Sequence, residues 1–119
     1  MLNFEDACDA LEILIEELPN EILEGLNCGV VMLNEMQYDI NGLIILGQYH
    51  FEPRGLGRYI TIYYGSIRAV YAYLPNNIFI EKIKEVLHHE LTHHIEHLAG
   101  DRTLERQDEI DKIKYLRTI

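Results

Sequence analysis

The sequence contains little cysteine, and this excludes several kinds of small domain. Cys8 and Cys28 are the two cysteines in 119 residues, and neither belongs to a CxxC pair. A disulfide framework and a four-cysteine zinc knuckle both need more thiols, so both are excluded. Each cysteine is expected to be a small buried apolar residue rather than a metal ligand or a nucleophile.

Long hydrophobic runs and a secretory signal are also missing. The longest aliphatic runs, at 30–33 and 43–46, are far shorter than the roughly 20 residues that a membrane-spanning helix needs. The first residues, MLNFEDACDALEIL, are acidic and lack the basic region of a signal peptide. These absences predict a cytoplasmic protein that has no membrane partner.

No basic patch is visible along the chain. Ten Lys and Arg residues stand against twenty Asp and Glu residues, which gives a formal net charge of -10. Binding to a phosphate backbone would therefore lack its main driving force, and nucleic acid is not an expected partner. An excess of acidic residues mainly keeps a protein in solution, and it leaves the oligomeric state open.

What the chain does contain is typical of one folded domain spanning residues 1–119. Apolar residues make up 48% of it, and no internal repeat appears. Apolar residues at helical spacing predict a front helix over 4–18 and a short further turn over 20–26. Runs rich in β-branched and aromatic residues predict strands at 30–34, 43–49, 58–64 and 67–73. The tyrosines in this region are expected to be half-buried sheet residues: Tyr59, Tyr63, Tyr64, Tyr71 and Tyr73.

Turn signals separate these strands, and helices follow them. Asn41-Gly42 precedes the second strand, residues 51–57 form a loop, and Gly65-Ser66 separates the last two strands. A long helix is predicted over 78–99, with Asn77 as its N-cap and Gly100 as its stop. A final helix is predicted over 104–116.

The long helix carries five of the six histidines, between positions 88 and 97. At about 100° per residue, the apolar side chains of this helix form one core-facing stripe that includes His94. His89 and His93 fall together on nearly the opposite side, and Glu90 lies on the flank between the two faces.

These three residues form the motif HExxH, whose spacing suits zinc chemistry. Two imidazoles at positions i and i+4 can each give one nitrogen to a single Zn²⁺ ion. Glu90 can then act as the general base towards a zinc-activated water. The alternative is a histidine-rich surface helix without a specific site.

A catalytic zinc site normally has a third protein ligand, and the motif extension HExxHxxGxxH is not present. Glu96 is one candidate, because it shares the face of His89 and His93 one turn later. Asp101, just after Gly100, is the other. Later acids, Glu105 and Asp108, are further possibilities, whereas His88, His94 and His97 are weaker candidates.

The segment HHELTHHIEHLAGDRTLE, together with GRYITIYYGS upstream, resembles the compact zincin-like metallopeptidases of bacteria. This resemblance implies an α+β fold in which an N-terminal helix and the long HExxH helix pack on a small mixed sheet, with a helix at the C-terminus. It implies His89 and His93 as ligands of one Zn²⁺ ion and Glu90 as base. Many members read HExxHxxGxxD, whereas this chain has Glu96 at the glycine position and its nearest aspartate, Asp101, two positions late.

Motif and resemblance together predict a zinc-dependent hydrolase, a metallopeptidase that acts on a peptide or protein substrate. An exposed edge of the sheet would hold the peptide by strand addition. The second hypothesis is a non-catalytic zincin-fold module that serves as an adaptor or as a metal-responsive binding protein. The residue that favours catalysis is Glu90, because a structural zinc site does not need a base.

Overall fold

The computed structural model describes the backbone of residues 2–101 and 106–118 and the side chains of residues 2–100 and 110–117. The fold is α+β. The helices are α1 Phe4–Glu16, α2 Asn20–Leu23, α3 Tyr64–Tyr71, α4 Asn76–Asp101 and α5 Arg106–Thr118. The strands are β1 Val30–Leu33, β2 Gln37–Tyr38, β3 Ile44–Ile45, β4 Gly47–Glu52 and β5 Gly57–Tyr63.

Helix α1 begins where its sequence supplies a cap. The side chain of Asn3 accepts a hydrogen bond from the backbone N–H of Asp6 at 2.8 Å, which satisfies one of the free donors of the first turn. Its buried face consists of Ala7, Leu11 and Leu14. The short helix α2 confirms the predicted second turn, and Gly25 follows it with a φ of +81°, a value that favours glycine.

The main sheet has three strands in the order β1-β5-β4. Strand β5 pairs with β1 in parallel and with β4 antiparallel, so the sheet is mixed, as predicted. Strands β2 and β3 form a separate antiparallel pair. Within the described residues, β4 therefore pairs on one side only, and its other edge is open.

Helix α4 lies at the centre of the molecule and contacts the sheet and every other helix. The side chains of Ile83, Leu87, Leu91 and Ile95 are each no more than 1% exposed. They pack with Ile60 and Ile62 of β5 in one hydrophobic core. This face is the apolar stripe expected from the sequence, and burying it fixes the orientation of the opposite face, which carries His89 and His93.

The prediction of the last strand is wrong, because that segment forms a helix. Residues 67–73 were expected to form a strand after a turn at Gly65-Ser66, but residues 64–71 form helix α3. Tyr64, Ile67 and Tyr71 contact the core at helical spacing, and this packing overrides the β propensity of the segment. Gly65 allows the helix to sit close to the preceding chain, since an added Cβ would lie 2.7 Å from the backbone oxygen of Asn34.

This correction also changes the interpretation of the tyrosines. Tyr59 and Tyr63 are strand residues of β5, as predicted. Tyr64 and Tyr71 belong to α3, and Tyr73 follows that helix with 80% of its surface exposed. The prediction of half-buried sheet residues therefore holds for Tyr59 alone, because Tyr63 is buried.

Several boundaries differ from prediction. The strand expected over 43–49 divides at Leu46, because Ile44–Ile45 pairs with β2 whereas Gly47–Glu52 pairs with β5. Helix α4 includes Asn77, which is not its cap, and it continues through Gly100 to Asp101. Helix α5 begins at Arg106, and the predicted start at 104–105 lies outside the described residues.

The cysteines are less buried than expected. Cys28 is exposed and its Sγ lies 3.2 Å from the carbonyl oxygen of Leu56, whereas Cys8 is half-buried. The prediction of a buried apolar residue is therefore wrong for Cys28. Among the helices of the described residues, none is long and apolar enough to cross a bilayer.

Candidate metal centre

His89 and His93 converge on the exposed face of α4. Their Nε2 atoms lie 3.1 Å apart, and the two rings meet edge to face with centroids 4.6 Å apart. Both side chains lie outside the buried core, so neither ring is held by packing there. The convergence follows from the helix itself, since residues four apart lie on the same face one turn apart.

This geometry fits a shared Zn²⁺ ion. Zinc binds imidazole nitrogen at about 2.0–2.1 Å in tetrahedral sites, so two such nitrogens lie roughly 3.3 Å apart. The observed separation of 3.1 Å is close to that value. The donor chemistry also agrees, because neutral imidazole nitrogen is a preferred zinc ligand.

Glu90 stands beside this pair but in a different environment. Only 6% of its surface is exposed. Burial raises the pKa of its carboxyl group above the ordinary value of 4.5, and the neighbouring His89 and His93 oppose part of that rise. A carboxylate with a raised pKa next to two accessible imidazole nitrogens is suited to act as a general base.

The three motif residues line an open cleft between α4 and the free edge of β4. Strand β4 contributes Gly47, Gln48 and Tyr49 to its walls. Helix α4 contributes His89, Glu90, His93, Glu96 and His97. The candidate site therefore lies beneath a strand edge that can accept hydrogen bonds from, and donate them to, an extended peptide.

Gly47 sets how closely β4 approaches α4. A Cβ at this position would lie 2.7 Å from Cγ1 of Val86 and 3.2 Å from Cγ of Glu90. Val86 is buried and β-branched, so its side chain has little freedom to move away. The close approach holds Glu90 directly against the strand that forms the opposite wall of the cleft.

Replacing Gly47 with alanine is expected to destabilise the fold by about 1–3 kcal/mol, because the added methyl group overpacks the contact between β4 and α4. Urea unfolding would measure this change. Gly100→Ala is the matched control, since Gly100 lies in a helix and no atom of the described residues comes within 4 Å of its added Cβ. Equal stability of the two variants would show that the contact at Gly47 is not tight.

His94 lies on the core side, as predicted, and ties three segments together. It is fully buried. Its Nε2 lies 2.8 Å from the carbonyl oxygen of Glu24, and its Nδ1 lies 2.9 Å from the hydroxyl of Tyr49. A carbonyl can only accept, so Nε2–H donates to Glu24. Because burial lowers the pKa of His94 and favours the uncharged ring, Nδ1 accepts from the hydroxyl of Tyr49. His94 is therefore a neutral ring that fixes β4 and the end of α2 to α4.

Acid is expected to weaken the fold through His94. Burial lowers its pKa from 6.5, the hydrogen bond to the carbonyl of Glu24 opposes part of this shift, and the neighbouring Arg58, His97 and Lys112 act in the same direction as burial. The unfolded chain therefore binds the proton more readily, so stability falls as the pH drops below 6.5 towards the lowered pKa. One such proton changes the free energy of unfolding by at most about 1.4 kcal/mol per pH unit.

Melting temperatures between pH 8 and 5 would measure this dependence, with an expected loss of about 3–6 °C per unit in the acid range. His94→Gln is the control, because glutamine can hydrogen bond but does not titrate. His50 and His88 also have pKa values lowered mainly by burial, so some dependence should persist in that variant. A wild-type curve with the same slope as that of His94→Gln would contradict the assignment of this pH dependence to His94.

The structure gives the position of only some of the predicted third ligands. Glu96 lines two clefts together with His89 and His93, one beside β4 and one beside α5. Within the described side chains, no group of three His, Cys, Asp or Glu residues is arranged to hold a metal ion. The side chains of Asp101 and Asp108 and all of Glu105 lie outside the described residues, so these candidates stay predictions.

The cleft and the rings packed against its lining include residues that the sequence analysis did not single out. Tyr49 places its ring against His94 and His97, and the ring centroids of Phe51 and His97 lie 4.5 Å apart. The alternation of a strand could have found them, because positions 47, 49 and 51 of β4 share one face. His97, a weak candidate from sequence, lines the cleft as a ring packed on these aromatics.

The fold has a solved counterpart. A structure of a conserved hypothetical protein from Thermus thermophilus superposes with a TM-score of 0.71 at 32% sequence identity, and the alignment covers 84% of this chain and 100% of that one. This chain belongs to the same family as that bacterial protein. No family model and no curated protein matches the sequence. The bacterial relative has no stated activity, so the family relationship supports the fold and leaves the chemistry to be argued from the site.

Proposed function

We propose that the protein is a zinc-dependent metallopeptidase. The observation that carries this proposal is the pair of accessible Nε2 atoms of His89 and His93, 3.1 Å apart, beside the buried carboxyl group of Glu90. The resemblance of the HExxH segment to compact zincin-like metallopeptidases agrees with it. When bound, Zn²⁺ would supply a Lewis acid that activates water and polarises a carbonyl group.

Each residue of the motif has a separate role in this proposal. His89 and His93 would hold the ion through Nε2, and Glu90 would take a proton from the attacking water and pass it to the leaving amine. Glu96, Asp101 or a later acid would complete the coordination of the ion. His94 does not bind the metal, since both of its ring nitrogens already have partners.

The free edge of β4 is the proposed binding surface for the peptide. This strand is at the edge of the main sheet, and its residues Gly47, Gln48 and Tyr49 line the cleft that contains the HExxH residues. Adding the substrate as a further strand would bring its carbonyl groups past the metal centre without a deep pocket. This arrangement favours an extended peptide or an unfolded segment over a folded protein surface.

One observation favours the second hypothesis, a non-catalytic adaptor or metal-responsive module. The described side chains offer no ready third ligand. A site with two protein ligands would bind zinc weakly, and zinc would then act as a regulator of binding. The buried Glu90 argues for catalysis, because a binding module gains nothing from a buried carboxyl group beside the metal pair.

Cleavage of an unbiased peptide library by zinc-loaded protein, purified without a histidine tag, tests the two functions. If the protein is a peptidase, the wild type cleaves peptides only when zinc is present, and the Glu90→Gln variant leaves the same peptides intact. An adaptor binds peptides equally well in both forms and cleaves none. If zinc does not bind at all, the peptidase and the metal-responsive module both fail, and a histidine-rich helix without a metal site remains.

A further inference from the structure

A second cleft opens next to the candidate metal centre, on the side towards β3. Its volume is about 440 Å³, within the range of roughly 300–1,000 Å³ typical of ligand sites. His89 and Glu90 line one part of it, so it is continuous with the metal centre. The remaining walls are largely apolar side chains from β3, α3 and α4: Ile44, Ile45, Leu46, Tyr71 and Val86.

Apart from Glu90 at the metal centre, the charged residues of this cleft balance each other. The Nζ of Lys82 lies 3.3 Å from the carboxylate of Glu85 and 5.3 Å from the centroid of the Tyr71 ring. A paired lysine and glutamate leave no net charge to attract an ionic side chain. The aliphatic and aromatic walls therefore decide what the cleft accepts, and they favour burial of an apolar group.

Gly47 connects the two clefts. It lines both, at the point where β3 ends and β4 begins. A peptide held along the free edge of β4 passes His89 and His93 and then meets the apolar cleft. Because an extended chain advances about 3.3 Å per residue, the side chain that enters this cleft belongs to a residue one or two positions from the bond at the metal.

The surface beyond the cleft is also apolar. Ile40 is fully exposed, Leu43 is 66% exposed and Tyr38 is 53% exposed, all in or beside the β2–β3 pair that leads into Ile44 and Ile45. Exposed large apolar side chains grouped in one short segment are typical of interaction sites. Since this segment leads directly into Ile44 and Ile45 of the cleft, it suits a substrate that carries further apolar residues on the same side of the cleaved bond.

We propose that the apolar cleft is a specificity pocket for a large aliphatic or aromatic side chain adjacent to the bond at the metal centre. The substrate class is then an extended peptide with such a residue at one fixed position. This inference rests on the proposed function only in placing the peptide along β4, and binding tests it separately from cleavage.

Two measurements with the same peptide library test the proposal. One is cleavage by the zinc-loaded wild type, and the other is equilibrium binding to zinc-loaded Glu90→Gln, which does not require turnover. Peptides with Leu, Met or Phe at one position are expected to exceed those with Gly or Asp by about 10-fold to 100-fold in both measurements.

Tyr71→Ala removes one wall of the cleft and is expected to shift the preference towards larger aromatic side chains. Tyr73→Ala is the matched control, because Tyr73 is 80% exposed and does not line the cleft. Ile45→Ser alters the opposite wall and serves as a second variant. The readout is a ratio between peptides within each variant, so partial unfolding lowers all values together and does not imitate a shift.

Each outcome bears on a different claim. Binding without an apolar preference, or a preference that Tyr71→Ala and Ile45→Ser leave unchanged, would overturn the pocket. Apolar-selective binding that these two variants alter, without any cleavage, would support the pocket and contradict the peptidase. Selective cleavage that follows the same preference supports both the pocket and the peptidase activity.

Discussion

Glu90→Gln is expected to lower the rate of peptide cleavage by about 10²-fold to 10⁴-fold while zinc stays bound. The carboxylate is the only proton acceptor in the proposed chemistry, and glutamine keeps its shape but not its basicity. The zinc content should not change, because the two converging nitrogens belong to His89 and His93. Values of kcat/KM and the zinc content of each purified protein would measure the two effects.

In the metal-free protein, the same substitution should leave the stability of the fold unchanged or increase it. The pKa of Glu90 is raised by burial, so the folded state disfavours the charge, and stability is lost as the pH rises through the raised pKa. At neutral pH, glutamine removes that penalty, and its melting temperature should equal or exceed that of the wild type.

Glu12→Gln makes the same chemical change on an exposed position of α1 and should alter neither activity nor zinc content. A Glu90→Gln protein that cleaves as fast as the wild type would falsify the role of Glu90 as base.

Removing either histidine of the pair is expected to weaken zinc binding on the order of a hundredfold. Structural zinc sites bind with about 10–16 kcal/mol over four ligands, so each ligand accounts for roughly 3 kcal/mol. In the wild type, zinc at one hundred times its Kd should stabilise the fold by about 2.7 kcal/mol. His93→Ala and His89→Ala should lose most of this stabilisation, which thermal unfolding with and without zinc would show.

His88→Ala is the control for this experiment. His88 precedes the motif on the same helix and lines the cleft beside α5, but it does not line the cleft beside β4 that contains Glu90. The zinc-dependent rise in melting temperature should therefore persist in His88→Ala. If all three variants lose it equally, the ion binds to the histidine-rich segment without a defined site.

Local spacing explains which features of the site the sequence could predict. The convergence of His89 and His93 depends on one helix alone, and their spacing fixes it. The core stripe through Ile83, Leu87, Leu91 and Ile95 is equally local, and its burial confirms the predicted face. Glu90 was placed correctly on the flank for the same reason, although its burial depends on the approach of β4.

The features that the sequence did not predict depend on contacts between distant segments. The partners of His94 lie 45 and 70 residues away, at Tyr49 and Glu24, and no spacing rule connects them. Helix α3 was expected to be a strand because its Ile, Val and Tyr residues favour β structure, whereas its packing on the core decides the outcome. The second predicted strand divides at Leu46 for a similar reason, because its first half pairs with β2 and its second half pairs with β5.

The contrast between the local histidine pair and the distant partners of His94 has a consequence for folding. His89 and His93 need only one helical turn to meet, so zinc can bind α4 as soon as that turn forms and can stabilise it before the sheet assembles. Completion of the cleft waits for Glu24 and Tyr49 to reach His94. We therefore expect the proposed zinc site to form before β4 arrives, and the proposed substrate-binding edge to form after it.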